Sequence, residues 1–355
     1  MNTNPGGDTV QVKNTARFLR EAGVDVDVRM TNEMIDYASY DLLHLFNIIR
    51  PADLLKHIKR SGKPYLISTI YVDYREYDSQ VRKGVSGFLF KILPTGIIEY
   101  AKVVARFLVA GEKVSSPEYF YLGHRRSVKK VLKKAAMLLP NSHNEYNRIV
   151  KDFCITRPFK VIPNAIDANL FRSQETIFRD PSVLICVGRI EGLKNQLNLV
   201  RAVNKSKYQL FIIGAPATNQ VAYYQQCVRE AASNVHFIDR VEQEALLEYY
   251  SRATVHILPS WFETTGLSSL EAAAMGCNLV ITAKGDTREY FEEMAWYCDP
   301  ASPESIITAI EQAASSPVNP ELSKKILKQY TWKKTAEKTM EAYREILNVE
   351  WKGIW

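Results

Sequence analysis

Between Val183 and Ala314, short apolar runs alternate with amphipathic stretches, and this alternation narrows the choice of fold more than any other property of the chain. The runs are "VLICVG" (183–188), "YQLFIIG" (208–214), "VHFID" (235–239), "TVHILPS" (254–260) and "NLVIT" (278–282). Each is too short for a buried helix and has the length of a strand covered on both faces. The stretches between them, such as "QVAYYQQCVREAAS" and "EQEALLEYYSRA", repeat apolar residues at helical spacing. Strands joined through helices pair in parallel, because a hairpin cannot connect them. The C-terminal half is therefore expected to be a doubly wound, Rossmann-like α/β domain, with further helices at "SPESIITAIEQAA" and "TWKKTAEKTMEAYREILNVEW".

The N-terminal half has the same alternation with longer irregular pieces. Helices are expected at "TVQVKNTARFLREAG" and "PADLLKHIKRSG", and strands at "VDVDVRM", "YDLLHLF", "PYLISTIY" and "AAMLLPNS". A second doubly wound domain follows, joined to the first through "IPNAIDANLF" (162–171), whose Pro, Asn and Asp interrupt both periodicities. Only five residues precede Gly6-Gly7, which leaves no room for a strand ahead of that glycine loop. Either the chain as given starts late or its first domain is one strand short.

With 355 residues, two domains of ordinary size are expected. The five cysteines are scattered singly, with no CxxC pair, and read as reduced core residues. No leader-type apolar region opens the chain and no apolar run reaches bilayer-spanning length, so a cytoplasmic or peripheral protein is expected. A formal charge of +7 suits a protein that meets anions, whether nucleotide, nucleic acid or an acidic membrane face. No aromatic-basic stacking motif accompanies that charge, which argues against nucleic acid.

The candidate chemistry lies at the strand ends. Parallel sheets bind ligands at the carboxyl edge of their strands, where the next helix presents unpaired N–H groups and the positive end of its dipole. After "TVHILPS" the turn "WFETTG" opens the helix "LSSLEAAAMG", so Thr264, Thr265 and Gly266 stand where a phosphate can bind. Glu263 precedes that helix and Glu271 lies inside it; such carboxylates suit hydroxyl groups of one ligand and would be poor phosphate contacts. At the end of "VLICVG", "GRIEGLK" supplies Arg189 and Lys194. Two cations and a helix N-terminus can neutralise a pyrophosphate without a metal. Taken singly, each of the four charged residues also reads as a helix cap or a solvated charge.

"GRIEGLK" followed by "PSWFETTGLSSLEAAAMGC" resembles the retaining glycosyltransferases of family 4, within the glycosyl transferases of group 1, whose fold is GT-B. Gly6-Gly7, "LLPNS", "IPNAID" and "YTW" fall in the order that family shows. The resemblance implies two Rossmann-like domains facing a cleft: 1–165 on the acceptor side, 166–332 binding the nucleotide-sugar, and 333–355 a helix crossing back to the N-terminal domain. It implies that Arg189 and Lys194 bind the diphosphate of a UDP- or GDP-linked sugar and that Glu271 holds the ribose hydroxyls. Glu263 would contact the transferred sugar, aided by Thr264, Thr265, Gly266 and Leu267, and Gly7 would approach the phosphates from the other domain. The implied reaction moves a hexose-type sugar with retention and without a metal. The protein would stabilise the leaving diphosphate, with Glu263, Arg189 and Lys194 as the catalytic groups.

Family members often place a histidine after an N-terminal-domain strand, where "LISTIYVDY" puts Tyr71 with Asp73 nearby. Tyr71 reads equally as a buried aromatic, and His44 as a strand-end histidine. The Asp-x-Asp in "VDVDV" lacks the context of a metal site, and the six histidines show no ligand spacing, so no metal is expected. The segment 84–134, rich in apolar and basic residues, reads either as a core helix with a solvated basic face or as a contact for an anionic membrane. The second reading suits a lipid-linked saccharide acceptor in polysaccharide, capsule or lipopolysaccharide synthesis. Two other functions stay open: a catalytically silent glycan-assembly subunit and a sugar-nucleotide epimerase.

Overall fold

The computed structural model describes residues 6–81, 97, 100, 101, 116–172 and 179–348. By their contacts the chain divides into two units, one of residues 8–163 and 335–355, the other of 1–7 and 164–334. Residues 1–5, on which the expectation of a short N-terminal domain turns, lie outside the described residues.

The N-terminal unit begins with α1 (Gly7–Glu21) and contains β1 (Leu43–Phe46), α2 (Pro51–Ser61), β2 (Tyr65–Ser68) and α3 (Arg75–Val81). It continues with α4 (Glu118–Lys134), β3 (Met137–Leu139) and α5 (His143–Phe153). The three strands form a parallel sheet in the order β1-β2-β3. Ile67, Leu138, Val131, Leu132 and Ile149 are fully buried in its core. The strand expected over "VDVDVRM" does not form. Alternation of Val and Asp imitates a half-buried strand, but in residues 24–30 Val24 and Val26 pack beside Leu19, Val28 is exposed, and none pairs with a described strand. Arg20 holds this stretch through Nε and Nη2, which donate to the Val26 carbonyl at 2.9 and 2.7 Å.

The second unit has β4 (Asp180–Val187), α6 (Gln196–Val203), β5 (Gln209–Ile213), α7 (Val221–Glu230), β6 (Val235–Ile238) and α8 (Gln243–Arg252). Then come β7 (Ala253–Leu258), α9 (Leu267–Ala274), β8 (Asn278–Thr282), α10 (Thr287–Phe291) and β9 (Trp296–Cys298). It ends with α11 (Pro303–Ser315) and α12 (Pro320–Gln329). All six strands are parallel, in the order β6-β5-β4-β7-β8-β9. Chain order reverses between β4 and β7, so the loops following these two strands flank the crevice where doubly wound sheets bind ligands. β9, α10 and α12 are additions to the expected elements. β9 has three residues, too few to show a period, and Tyr290 and Phe291 give α10 its buried anchors. Four of the five cysteines are buried as expected, but Cys154 is exposed, because it caps α5 in the left-handed conformation at φ 52°.

The last helix, α13 (Trp332–Leu347), packs Ala336 and Met340 against Leu19 of α1. Tyr343 of this helix bonds at 2.8 Å to Nδ1 of His44, whose Nε2 bonds to Ser68 Oγ at 2.9 Å. His44 therefore sits within β1 rather than at its end, and burial lowers its pKa to about 3, keeping it neutral.

Candidate functional site

The loop after β4 carries Arg189 and then a single 3₁₀ turn, Gly192–Lys194. Asn195 closes that turn in the left-handed conformation at φ 61°. Its side-chain amide donates to the carbonyls of Pro259 and Pro300 at 3.1 and 2.7 Å, tying this loop to those after β7 and β9. The Trp261 amide donates to the Leu193 carbonyl at 2.8 Å and closes the tie from the other side. Lys194 is thereby brought to Glu263, its Nζ 2.5 Å from Oε2. The pair is mostly shielded, with side chains 20% and 9% exposed. Ser260 Oγ donates to the same carboxylate oxygen at 3.2 Å.

A second clip fixes the backbone of Glu263. Its amide donates to the Lys284 carbonyl at 3.1 Å, and its carbonyl accepts from the Asp286 amide at 2.9 Å. Gly285 makes this approach possible. It has φ +103°, and a Cβ there would lie 2.1 Å from the Glu263 carbonyl oxygen.

Thr264, half-buried, and Thr265, buried, follow Glu263 into the helix. Thr265 Oγ1 accepts from Asn164 Nδ2 at 3.2 Å, and the Asn164 amide donates to Tyr290 Oη, also at 3.2 Å. Gly266 enters α9 at φ +74°, a conformation that turns the chain sharply ahead of Leu267. The Ser269 and Leu270 amides bond to the Gly266 carbonyl at 2.9 and 3.1 Å, so those of Leu267 and Ser268 stand ahead of the helical ladder.

Glu271 lies one turn into α9. Tyr250 Oη donates to its Oε2 at 3.0 Å, and Gln243 Nε2 approaches Oε1 at 3.4 Å. Burial pushes its pKa from the ordinary 4.5 up to about 7, while the bonds from Tyr250 and Gln243 act the other way. His256, on β7, bonds to Ser269 Oγ at 3.2 Å. Burial first, and Lys194 second, hold its pKa near 3.

Of the residues singled out from sequence, Lys194 and Glu263 meet directly, and Thr264, Thr265, Gly266, Leu267 and Glu271 continue along the same junction. Arg189, in the same loop as Lys194, is exposed and pairs with Glu191 at 3.2 Å. Gly7 is the first residue of α1. Tyr71 is half-buried, and its hydroxyl donates to Asp152 Oδ2 at 2.8 Å while its ring lies 5.5 Å from Phe153. Asp73 pairs with Arg75. Ser260, Tyr250, Gln243, Asn195 and Gly285 support the site, and their spacing in sequence carries no sign of it. Gly285, within "AKGD", is the one whose turn composition hints at a special backbone.

The segment 84–134 divides. Residues 84–96, 98, 99 and 102–115 lie outside the described residues. In α4, Val128, Val131 and Leu132 are buried in the N-terminal core, while Arg125, Arg126, Lys129, Lys133 and Lys134 are exposed. Among the described residues no helix is long and apolar enough to cross a membrane.

Two parallel-sheet α/β units, one with its charged residues at the switch point, give the fold of the GT-B glycosyltransferases. Sucrose-phosphate synthase from Thermosynechococcus elongatus superposes with a TM-score of 0.63 at 18% identity, covering 88% of this chain and 76% of its own. Anabaena Alr3699/HepE, solved in complex with UDP and glucose, gives 0.54 at 14% identity, covering 84% of this chain and 98% of its own. Residues 167–334 match the family model for glycosyl transferases group 1. The D-inositol 3-phosphate glycosyltransferase of Geodermatophilus obscurus is 28% identical over 211 residues, which are 53% of this chain and 46% of the relative. The chain spans about half the length of the curated relatives it matches. Residues 167–334 are thus similar to the group 1 glycosyltransferases, and the structural likenesses show the GT-B fold.

Proposed function

We propose that this chain is a retaining, metal-independent glycosyltransferase of family 4. It would move a hexose-type sugar from a UDP- or GDP-linked donor to a saccharide or lipid-linked saccharide acceptor, in polysaccharide, capsule or lipopolysaccharide synthesis. The observation that carries this reading is the meeting of Lys194 and Glu263 across the switch point, just ahead of the helix that bears Glu271. In it the donor diphosphate competes with Glu263 for Lys194, Arg189 adds a second cation, and the amides at the start of α9 complete the anion site. Released from Lys194, the Glu263 carboxylate accepts a hydroxyl of the transferred sugar, and Glu271 accepts those of the ribose.

The bond between the anomeric carbon and the diphosphate oxygen breaks as the acceptor oxygen bonds to the same face, and the acceptor's proton passes to a phosphate oxygen. Lys194 and Arg189 hold the charge that develops on the leaving group, which is where fixed cations lower a barrier most. The exposed basic residues of α4 suit an acceptor at an anionic cytoplasmic membrane surface.

The test is incubation with UDP- and GDP-sugars and a panel of saccharide and polyprenyl-linked acceptors in excess chelator, with the anomer of the product read by NMR. Glycoside of the donor's own anomeric configuration is the expected product. An inverted product, or transfer that stops in chelator and returns with a divalent cation, contradicts the reading. Epimerised donor with no nucleoside diphosphate released would assign a different enzyme.

A further inference from the structure

The two oxygens of Glu271 are held unequally. Oε2 faces Tyr250, whose side chain is fully buried, with its ring edge-on to Phe171 at 6.1 Å and to His256 at 6.2 Å. That packing leaves the ring no freedom to swing. Its hydroxyl lies 3.0 Å from the carboxylate and 3.3 Å from the Ser268 carbonyl, so its one proton favours the charged acceptor. Oε1 faces Gln243, the exposed first residue of α8, at 3.4 Å, near the outer limit of a hydrogen bond. One oxygen thus has a buried interior donor and the other an exposed surface donor.

We propose that Tyr250 is a positioning residue for hydroxyl recognition by Glu271: its phenol anchors Oε2, so that Oε1 takes the ligand's hydroxyl, and Gln243 yields that place. This rests on the reading of Glu271 as the ribose contact. An unanchored glutamate samples several rotamers, and the ordering needed to meet a hydroxyl at the right angle weakens binding. Anchoring one oxygen removes that cost before the ligand arrives. The gain is confined to ligands that offer a hydroxyl, which separates positioning from general support of the fold.

The experiment is calorimetric titration of the full chain with UDP and GDP. Whichever binds the wild type is then compared with its 2′,3′-dideoxy counterpart, in wild type, Tyr250→Phe and Gln243→Ala. The wild type should favour the ribose form at least tenfold. Tyr250→Phe should cut that preference to threefold or less and leave the dideoxy affinity within twofold. Gln243→Ala, an exposed change that does not threaten folding, should keep or raise the preference. Equal losses for both nucleotides in Tyr250→Phe, an unchanged preference there, or a tenfold fall in Gln243→Ala would each overturn the inference. A wild type that binds neither UDP nor GDP removes the ribose reading itself, and the inference falls with it. A wild type that binds ribose and dideoxy forms alike overturns the role of Glu271 while leaving the anion site standing.

Discussion

Removing Lys194 leaves the Glu263 carboxylate, 7% exposed, with Ser260 Oγ as the described side-chain donor that remains on it. Breaking a fully buried pair costs about 3–5 kcal/mol, and an exposed one about 0–1 kcal/mol. With side chains 20% and 9% exposed the pair lies nearer the buried limit, so Lys194→Ala should destabilise the C-terminal unit by about 2–3 kcal/mol. For a unit of this size that corresponds to a fall of roughly 5–10 °C in its unfolding temperature. In the double variant Lys194→Ala/Glu263→Gln no uncompensated charge remains, and the neutral amide can still bond to Ser260. About half of the loss, roughly 1–1.5 kcal/mol, should therefore return, so the single losses should not add in the double variant. The assay is urea unfolding of wild type, both single variants and the double variant at neutral pH, repeated in high salt, which should change the coupling little because the pair is shielded. A loss under about 0.5 kcal/mol for Lys194→Ala, or losses that simply add in the double variant, would refute the reasoning.

Gly285→Ala places a Cβ 2.1 Å from the Glu263 carbonyl oxygen at φ +103°, so both backbone bonds of the clip must lengthen. It should cost about 3 kcal/mol or more and weaken nucleotide binding together with stability; a variant as stable as wild type in urea would show that the clip is not needed. Burial raises the Glu271 pKa from 4.5 to about 7, so the stability linked to its proton is full below 4.5 and is lost as pH rises through about 7. Stability measured across that window should fall, and Glu271→Gln should flatten the fall; an unaltered slope in the variant would assign it to other groups. A ligand whose hydroxyls bond to the carboxylate favours its charged form, so nucleotide affinity should rise with pH through 7, with proton release visible by calorimetry in buffers of different ionisation enthalpy. In the N-terminal unit, buried Glu145 accepts from Thr69 Oγ1, from the Tyr71 amide at 2.8 Å and from the Asn141 amide at 2.7 Å. Glu145→Ala strands these donors and should cost about 3 kcal/mol or more, read as a lower melting temperature; a neutral result would contradict that account.

The second unit was legible in sequence because its strands are buried on both faces, so that apolar runs such as "VLICVG" and "NLVIT" stand out against their helices. The same logic failed at "VDVDVRM", where alternation is present but none of the described strands pairs with it. β9 escaped notice because it is three residues long and takes its place only by pairing with β8. In the site, the strand-end positions of Lys194 and Glu263, and that of Glu271 in the helix that follows, could be read from the order of elements. Their partners could not. Tyr250 looks like any apolar position of an amphipathic helix, and its bond to Glu271 crosses from α8 to α9. Gly285 touches Glu263 only because two loops converge after β7 and β8. Such contacts depend on tertiary packing, which periodicity does not encode.

The central claim, that the switch-point residues bind a nucleotide, is tested most directly by thermal unfolding of wild type and Glu271→Ala with UDP, GDP, ADP and their sugar conjugates in chelator. A ligand at a hundred times its dissociation constant should stabilise the wild type by about 2.7 kcal/mol. The account predicts such a shift for one nucleotide and its loss or marked reduction in the variant. No shift with any of them, or an equal shift in both proteins, would contradict it.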